Sequence, residues 1–296
     1  RRENTNLIRR VLRSGNKFTK QNIATETKLS VATCNTILNE LEVCGEVIGE
    51  KIQLGSVGRS SMVYVINEAY ESILCLEFQI QKGRRILTYT VLSTIKNVLK
   101  HEVLQYDLID YNVVSQKIED LLIDFPNISR ISIGTPSIAQ GGCIRHCDIA
   151  ELNDEPIVQK LQSRFGIPII LENDMHFKVY GYYKWECNKE DTVTIANFMQ
   201  HLLPGTGTVS EGSVIKGANQ FAGMVGFLPY GISRDEELKL LAPNTYLPYA
   251  IKALISIIAI LNPKVILLTG DLINEEDTKR IEQESREYIP DEYIPH

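Results

Sequence analysis

Ala32, Asn35, Thr36 and Asn39 recur on one side of a stretch whose other side is Cys34, Ile37, Leu38 and Leu41. Hydroxyl and amide groups at the leading end of a helix can donate to and accept from base edges in a DNA major groove, and small side chains let the helix approach. Ser30 and Thr33 stand in the same leading turn and join the candidate DNA contacts. An ordinary solvated helix would carry more Lys and Glu there. Arg59 sits alone in the glycine-rich stretch from Leu54 to Ser61, where it reads as a phosphate or minor-groove contact or, alternatively, as a solvated loop arginine. A second group able to do chemistry is Cys143, His146 and Cys147. Thiols and imidazole are zinc ligands, but three ligands need a fourth, from His176 or Cys187, and the ordinary reading is a loop with incidental thiols.

The elements needed to position the first group are written nearby. Leu7, Ile8, Val11 and Leu12 form an apolar helical stripe over Asn4–Ser14 that Gly15 stops. Thr19 is an N-cap for a helix over Lys20–Thr27, and Ser30 caps the helix that carries the candidate contacts, with Gly45 after its end. Glu46–Gln53 and Met62–Ile66 read as strands flanking the glycine-rich tip. Three helices and such a hairpin predict a winged helix-turn-helix over residues 1–70, used on DNA or, alternatively, for protein contact.

Charge divides the chain at the same place. The 296 residues carry a net charge of −6. Residues 1–68, however, hold ten Lys or Arg against seven Asp or Glu, leaving the remainder at −9. A polyanion is repelled by the larger part, so contact with duplex DNA must come through the front segment. It would be weak and salt-sensitive for one copy, which predicts a dimer. The longest apolar run, near Ala253–Leu261, is far short of a bilayer span, and no charged-then-apolar leader opens the sequence. Six cysteines with no disulfide framework read as reduced thiols in a cytoplasm, with no membrane contact.

From Ser72 onward strands and helices alternate: Ile73–Phe78, Arg85–Ser93, a helix about Val113–Asp124, then Ile131–Ile133. This pattern predicts α/β layers over residues 71–296. Four motifs punctuate it: Gly134-Thr135-Pro136-Ser137, Leu171-Glu172-Asn173-Asp174, Gly205-Thr206-Gly207 and Gly217-Ala218-Asn219-Gln220-Phe221-Ala222-Gly223. Their order behind the winged helix resembles the ROK family of sugar-responsive repressors and sugar kinases, which implies an actin-like, hexokinase-type (ribonuclease H-like) ATPase fold. In the repressor branch that fold would dimerise and sense a sugar or sugar phosphate. The resemblance implies that Asn173 fixes a sugar and that Asp174 is its general base. It also makes Gly205, Thr206 and Gly207 part of a glycine-rich phosphate-binding hairpin and places Gly270 near an adenosine site, with a plain turn as the alternative for each glycine. Asp174 has a second reading, as the cap of a helix over Met175–Lys184. Tyr180, Tyr182, Tyr183 and Trp185 suggest a sugar platform, but their helical spacing favours packing.

The chain departs from the family pattern where catalysis would need it. Leu76-Glu77-Phe78-Gln79 stands where the kinases have Asp-x-Gly, and Ala222-Gly223-Met224-Val225-Gly226-Phe227 stands where they have Ala-Gly-Glu-x-Gly-His. Two lost polar partners, at roughly 1–3 kcal/mol each, would weaken sugar binding by about a hundredfold or more. The family's zinc cysteines have no counterpart between Phe227 and His296, so no zinc or other cofactor is expected. The resulting expectation is a DNA-binding regulator of carbohydrate metabolism with a decayed kinase domain. An active sugar kinase and a ligand-free dimerisation scaffold are the alternatives.

Overall fold

A computed structural model describes residues 1–53, 60–81, 83–147, 149–187 and 191–296. Arg59, the expected wing contact, lies outside the described residues. The front of the chain comprises α1 (Arg2–Leu12), β1 (Phe18–Thr19), α2 (Lys20–Thr27), α3 (Val31–Val43), β2 (Val47–Gln53) and β3 (Ser60–Ile66). Both expected caps form. Thr19 and Asn22 close a capping box on α2, and the Ser30 side chain accepts the Thr33 N–H at 3.1 Å. The strands make an antiparallel sheet in the order β1-β3-β2, and β1, which the sequence pattern did not announce, is only two residues long. Ile8, Leu12, Ile23, Cys34, Ile37, Leu38 and Leu41 close a core against Val47, Tyr64 and Ile66. Burial of these stripes is what holds the short helices, since isolated helices of this length are marginal in water.

The remainder is built on two larger sheets. The first uses β4 (Ser72–Gln81), β5 (Arg84–Ser93), β6 (Val98–Tyr106), β7 (Ile128–Thr135) and β10 (Ile169–Asn173), in the order β10-β7-β4-β5-β6. Helix α4 (Tyr111–Asp124) precedes β7; the small hairpin β8 (Ile138–Gln140) and β9 (Cys143–Arg145) and helix α5 (Ile157–Phe165) precede β10. Helix α4 starts two residues ahead of expectation because Asp110 caps it, accepting the Val113 N–H at 2.9 Å. One sheet face (Leu74, Leu76, Phe78, Leu87, Tyr89) is sealed by Val114, Ile118 and Leu121 of α4 and Leu161 of α5. The opposite face, with Cys75, Glu77, Thr88 and Ser132, is only half-buried.

Helix α6 (Asp174–Glu186) follows β10 without a linker and leads into the second sheet. That sheet uses β11 (Val193–Asn197), β12 (Gly205–Ser210), β13 (Ser213–Val214) and β14 (Val265–Thr269), with α7 (Arg234–Leu240), α8 (Leu247–Leu261) and α9 (Glu275–Ser285). Its order is β13-β12-β11-β14, with β14 parallel to β11. Each half therefore repeats one plan: an antiparallel meander whose first strand takes a parallel neighbour. Met175, Val179 and Tyr183 of α6 pack on Val193, Ile195 and Val209 of one face, and α8 packs on the other. The apolar segment over Pro248–Leu261 is thus mainly core, with Ile260 left 75% exposed. Among the described residues no helix is long and apolar enough to cross a membrane.

Candidate functional site

The two halves meet at the junction of β10 with α6, and the Glu172-Asn173-Asp174 run lies there. Asn173, not Asp174, is the cap of α6. Its Oδ1 accepts the N–H groups of Met175 (2.9 Å) and His176 (3.4 Å), while its Nδ2 donates to the Ser137 carbonyl at 3.1 Å. The helix begins at Asp174, one residue earlier than the capping reading supposed, because the amide side chain of Asn173 reaches two orphan donors at once. Replacing Asn173 by Ala is expected to lower stability by about 1 kcal/mol, read as a fall in thermal midpoint; an unchanged midpoint would refute the cap.

Asp174 is buried, and its Oδ2 accepts from Lys178 Nζ at 2.7 Å. The same ammonium lies 2.9 Å from Glu77 Oε1. Burial lifts the Asp174 carboxyl above the ordinary carboxylate range, with Glu77 adding to the lift and Lys178 opposing it. Lys178, although burial alone would lower it, is held charged by its two carboxylate partners. Gln79 donates from Nε2 to Glu77 at 2.7 Å. Both carboxylates are thus engaged by the protein itself, through an ammonium and an amide.

Glu172 is the hub on the other side. Its carboxylate meets His176 Nδ1 at 2.9 Å, the Asn173 N–H at 3.0 Å and Lys216, which comes from the segment after β13 and so ties the second half to β10 of the first. Burial alone would raise this carboxyl, but the hydrogen bonds from His176, Lys216 and Asn173 bring it down to about 2. Sequence reasoning missed His176 and Lys178 as partners, although Lys178 stands four residues after Asp174, the spacing at which side chains meet on a helix; Glu172 lies in β10, where that rule does not reach. No local signal pointed to Lys216.

A cleft of about 210 Å³ opens above Asn173 and Asp174, lined from the second half by Gly205, Thr206, Met224 and Phe227. Gly205, Thr206 and Gly207 lie in a paired strand rather than in a turn, and the Thr206 N–H is donated to the Gly223 carbonyl at 2.9 Å. A Cβ on Gly207 would overlap the Met175 carbonyl, so this glycine lets β12 lie against the first turn of α6. Gly270 has φ +113°, and a Cβ there would overlap the Phe198 backbone. Phe227 is packed edge-on against Phe221 with ring centroids 5.2 Å apart and with the Arg234 guanidinium 4.5 Å from its ring centre. Cys143 falls in β9 and Cys147 is buried; among the described residues no group of three His, Cys, Asp or Glu is placed to hold a metal.

The candidate DNA contacts are grouped on α3, with Ala32, Thr36 and Asn39 exposed and Asn35 half-exposed, tied to Lys20 of α2. Ser30 and Thr33 share a bond between their hydroxyls at 2.9 Å. The front core also receives Ile95, from the turn between β5 and β6. Asn97 in that turn donates to Glu68 at 2.7 Å, and Lys96 lies 4.3 Å from the ring centre of Trp185 at the far end of α6. Tyr182 and Tyr183 pack into the core under α6, whereas Tyr180 and Trp185 are 40% and 63% exposed.

A profile described as the ROK family matches residues 83–238. A candidate xylose repressor of Caldicellulosiruptor sp. is 23% identical over 238 residues, which is 77% of this chain and 59% of the relative's length. The crystal structure of a ROK family transcriptional regulator, a homologue of the E. coli MLC protein, superposes with TM-score 0.67 at 16% identity, covering 96% of this chain and 86% of that one. A ROK glucokinase from Streptomyces griseus, solved with glucose and AMPPNP, superposes with TM-score 0.58 at 14% identity, covering 76% of this chain and 92% of that one.

Proposed function

Because the chain belongs to the ROK family, we propose that it is a DNA-binding transcriptional regulator of carbohydrate metabolism, a repressor whose kinase-like domain senses a sugar or sugar phosphate without phosphorylating it. Residues 1–70 form the winged helix-turn-helix, and Ser30, Ala32, Thr33, Asn35, Thr36, Asn39 and Arg59 contact operator DNA. Residues 71–296 form the effector and dimerisation domain. The effector occupies the cleft at Asn173 and Asp174. Gly205, Thr206, Gly207 and Gly270 are vestiges of a nucleotide site, no zinc is bound, and the protein acts in the cytoplasm as a homodimer. Supporting this, the superposition with the regulator covers 96% of the chain, whereas that with the glucokinase covers 76%. Exposed Phe221 and Ile260 border one apolar groove, which suits self-association.

The observation that carries the mechanism is the path from cleft to DNA module. Helix α6 starts at the cleft and runs 13 residues, roughly 20 Å at 1.5 Å per residue, to Trp185. There Lys96 rests on the indole, and its neighbour Ile95 packs into the front core. An effector that draws the two halves together moves α6, and α6 carries the β5–β6 turn and the module seated on it. That is a population shift biased by differential binding. In a gel-shift or anisotropy titration with a selected operator, Trp185→Ala and Ile95→Ala are expected to bind DNA but to lose most of an effector response that is typically 5- to 150-fold. An undiminished response across a panel of pentoses, hexoses and their phosphates would refute the path. Turnover of ATP with any of these sugars would refute the regulator reading as a non-enzyme.

A further inference from the structure

We infer that the cleft above α6 is built for a glycoside carrying an apolar, aromatic aglycone in preference to a free sugar. The inference rests on the reading of this cleft as the effector site. Three of the chain's four methionines, Met175, Met199 and Met224, line it, together with Leu202, Leu203 and Phe227. Thioethers are polarisable and adaptable, and they make favourable contacts with aromatic rings. A wall of this composition recognises shape and apolar area.

The polar lining is small, and most of it is already engaged. Asn173 spends Oδ1 on two backbone N–H groups and Nδ2 on the Ser137 carbonyl. The carboxylate of Asp174 holds Lys178, and the Thr206 hydroxyl donates to Gly223 at 3.0 Å. Asn197 accepts from Thr269 at 3.1 Å through Oδ1. Among the described residues, what is left toward the cleft is the Ser137 hydroxyl, the His146 ring, the amide N–H groups of Asn197 and the spare lone pairs of the Asp174 carboxylate. A free hexose would bury more hydroxyls than these can satisfy, and each unpaired one costs about 5- to 150-fold in Kd. A glycoside sets its sugar beside Ser137 and His146 and its aglycone against Met199, Met224 and Phe227, so that apolar contact replaces the missing polar contacts.

The test is isothermal titration of the full chain with phenyl β-glucoside, phenyl β-xyloside, glucose, xylose and phenol. At least one phenyl glycoside is expected to bind ten times or more tighter than both its parent sugar and phenol. The double variant Met224→Glu with Phe227→His, checked for folding by its thermal midpoint, should lose that advantage and gain affinity for the free sugar. The single variant Phe227→Ala should weaken the phenyl glycoside alone. The inference is overturned if a free sugar binds as tightly as its phenyl glycoside, or if none of the five ligands binds. Binding without any change in operator affinity would leave the ligand class standing and refute the sensing mechanism instead.

Discussion

On a duplex selected for binding, Asn35→Ala and Thr36→Ala each lower affinity by about 5- to 150-fold, the 1–3 kcal/mol carried by a good base contact, and leave affinity for random duplex nearly unchanged. The expectation follows from placement. Both residues lie in the first half of α3, and the helix's opposite stripe (Cys34, Ile37, Leu38, Leu41) is committed to the front core, so neither belongs to the apolar packing face. Lys20 donates to the Asn35 side-chain oxygen, which leaves the amide N–H groups of the half-exposed Asn35 without a protein partner on that bond. Arg59→Ala should instead weaken binding to every sequence and lower the salt slope by about one, as loss of a phosphate contact does. Competition binding at two salt concentrations separates the classes. Equal losses on cognate and random DNA for all three variants would remove α3 from the role of reader.

Acid should destabilise the junction of the two halves through Glu172. Its carboxyl lies at about 2 against an ordinary 4.5, so the folded state binds its proton later than the unfolded chain. The stabilisation is complete above about pH 4.5 and is lost as the pH falls toward 2. At about 1.4 kcal/mol per pH unit this amounts to about 3 kcal/mol, for a side chain only 13% exposed and therefore little screened. Thermal midpoints of the parent chain and of Glu172→Gln, measured from pH 6 to pH 2.5, should converge as the pH falls. Parallel curves would show that Glu172 contributes no such term. Asp174, whose carboxyl burial raises, has the opposite sign and is present in both proteins, so the difference isolates Glu172.

Local patterns in the sequence carry much of this architecture. The second and third front helices lie where Thr19, Ser30 and Gly45 place them, because capping and periodicity act over a few neighbouring residues; the first, which has no side-chain cap, starts and ends two residues ahead of its expected Asn4–Ser14. Strands β4 and β5 were legible for the same reason: one face of each is buried, and alternation records it. Strand β6 went unannounced, since Val98, Leu99 and Val103 remain exposed on an edge strand and no alternation results. The order of the four glycine and acidic motifs also sufficed to indicate the family.

Within the site, residue types and i, i+4 spacings were written in the chain, but their partners were not. Whether Asp174 capped a helix, held a sugar or faced a charge depended on where α6 began, and Asn173 decided that by reaching two N–H groups and the Ser137 carbonyl together. Glu77 and Lys178 are about a hundred residues apart, and Glu172 ends a strand of the first sheet whereas Lys216 comes from the segment after β13. Such pairs exist only once the backbone has brought distant segments within a few ångströms, because charge attraction at larger separation is screened by water and salt. Gly207 was read as room for phosphate and Gly270 as a neighbour of adenosine; the fold uses both for close passage of its own backbone. Sequence alone set most of the elements and the chemistry they can offer, while long-range packing added the edge strands and decided which of those groups are spent on the protein and which remain for a ligand.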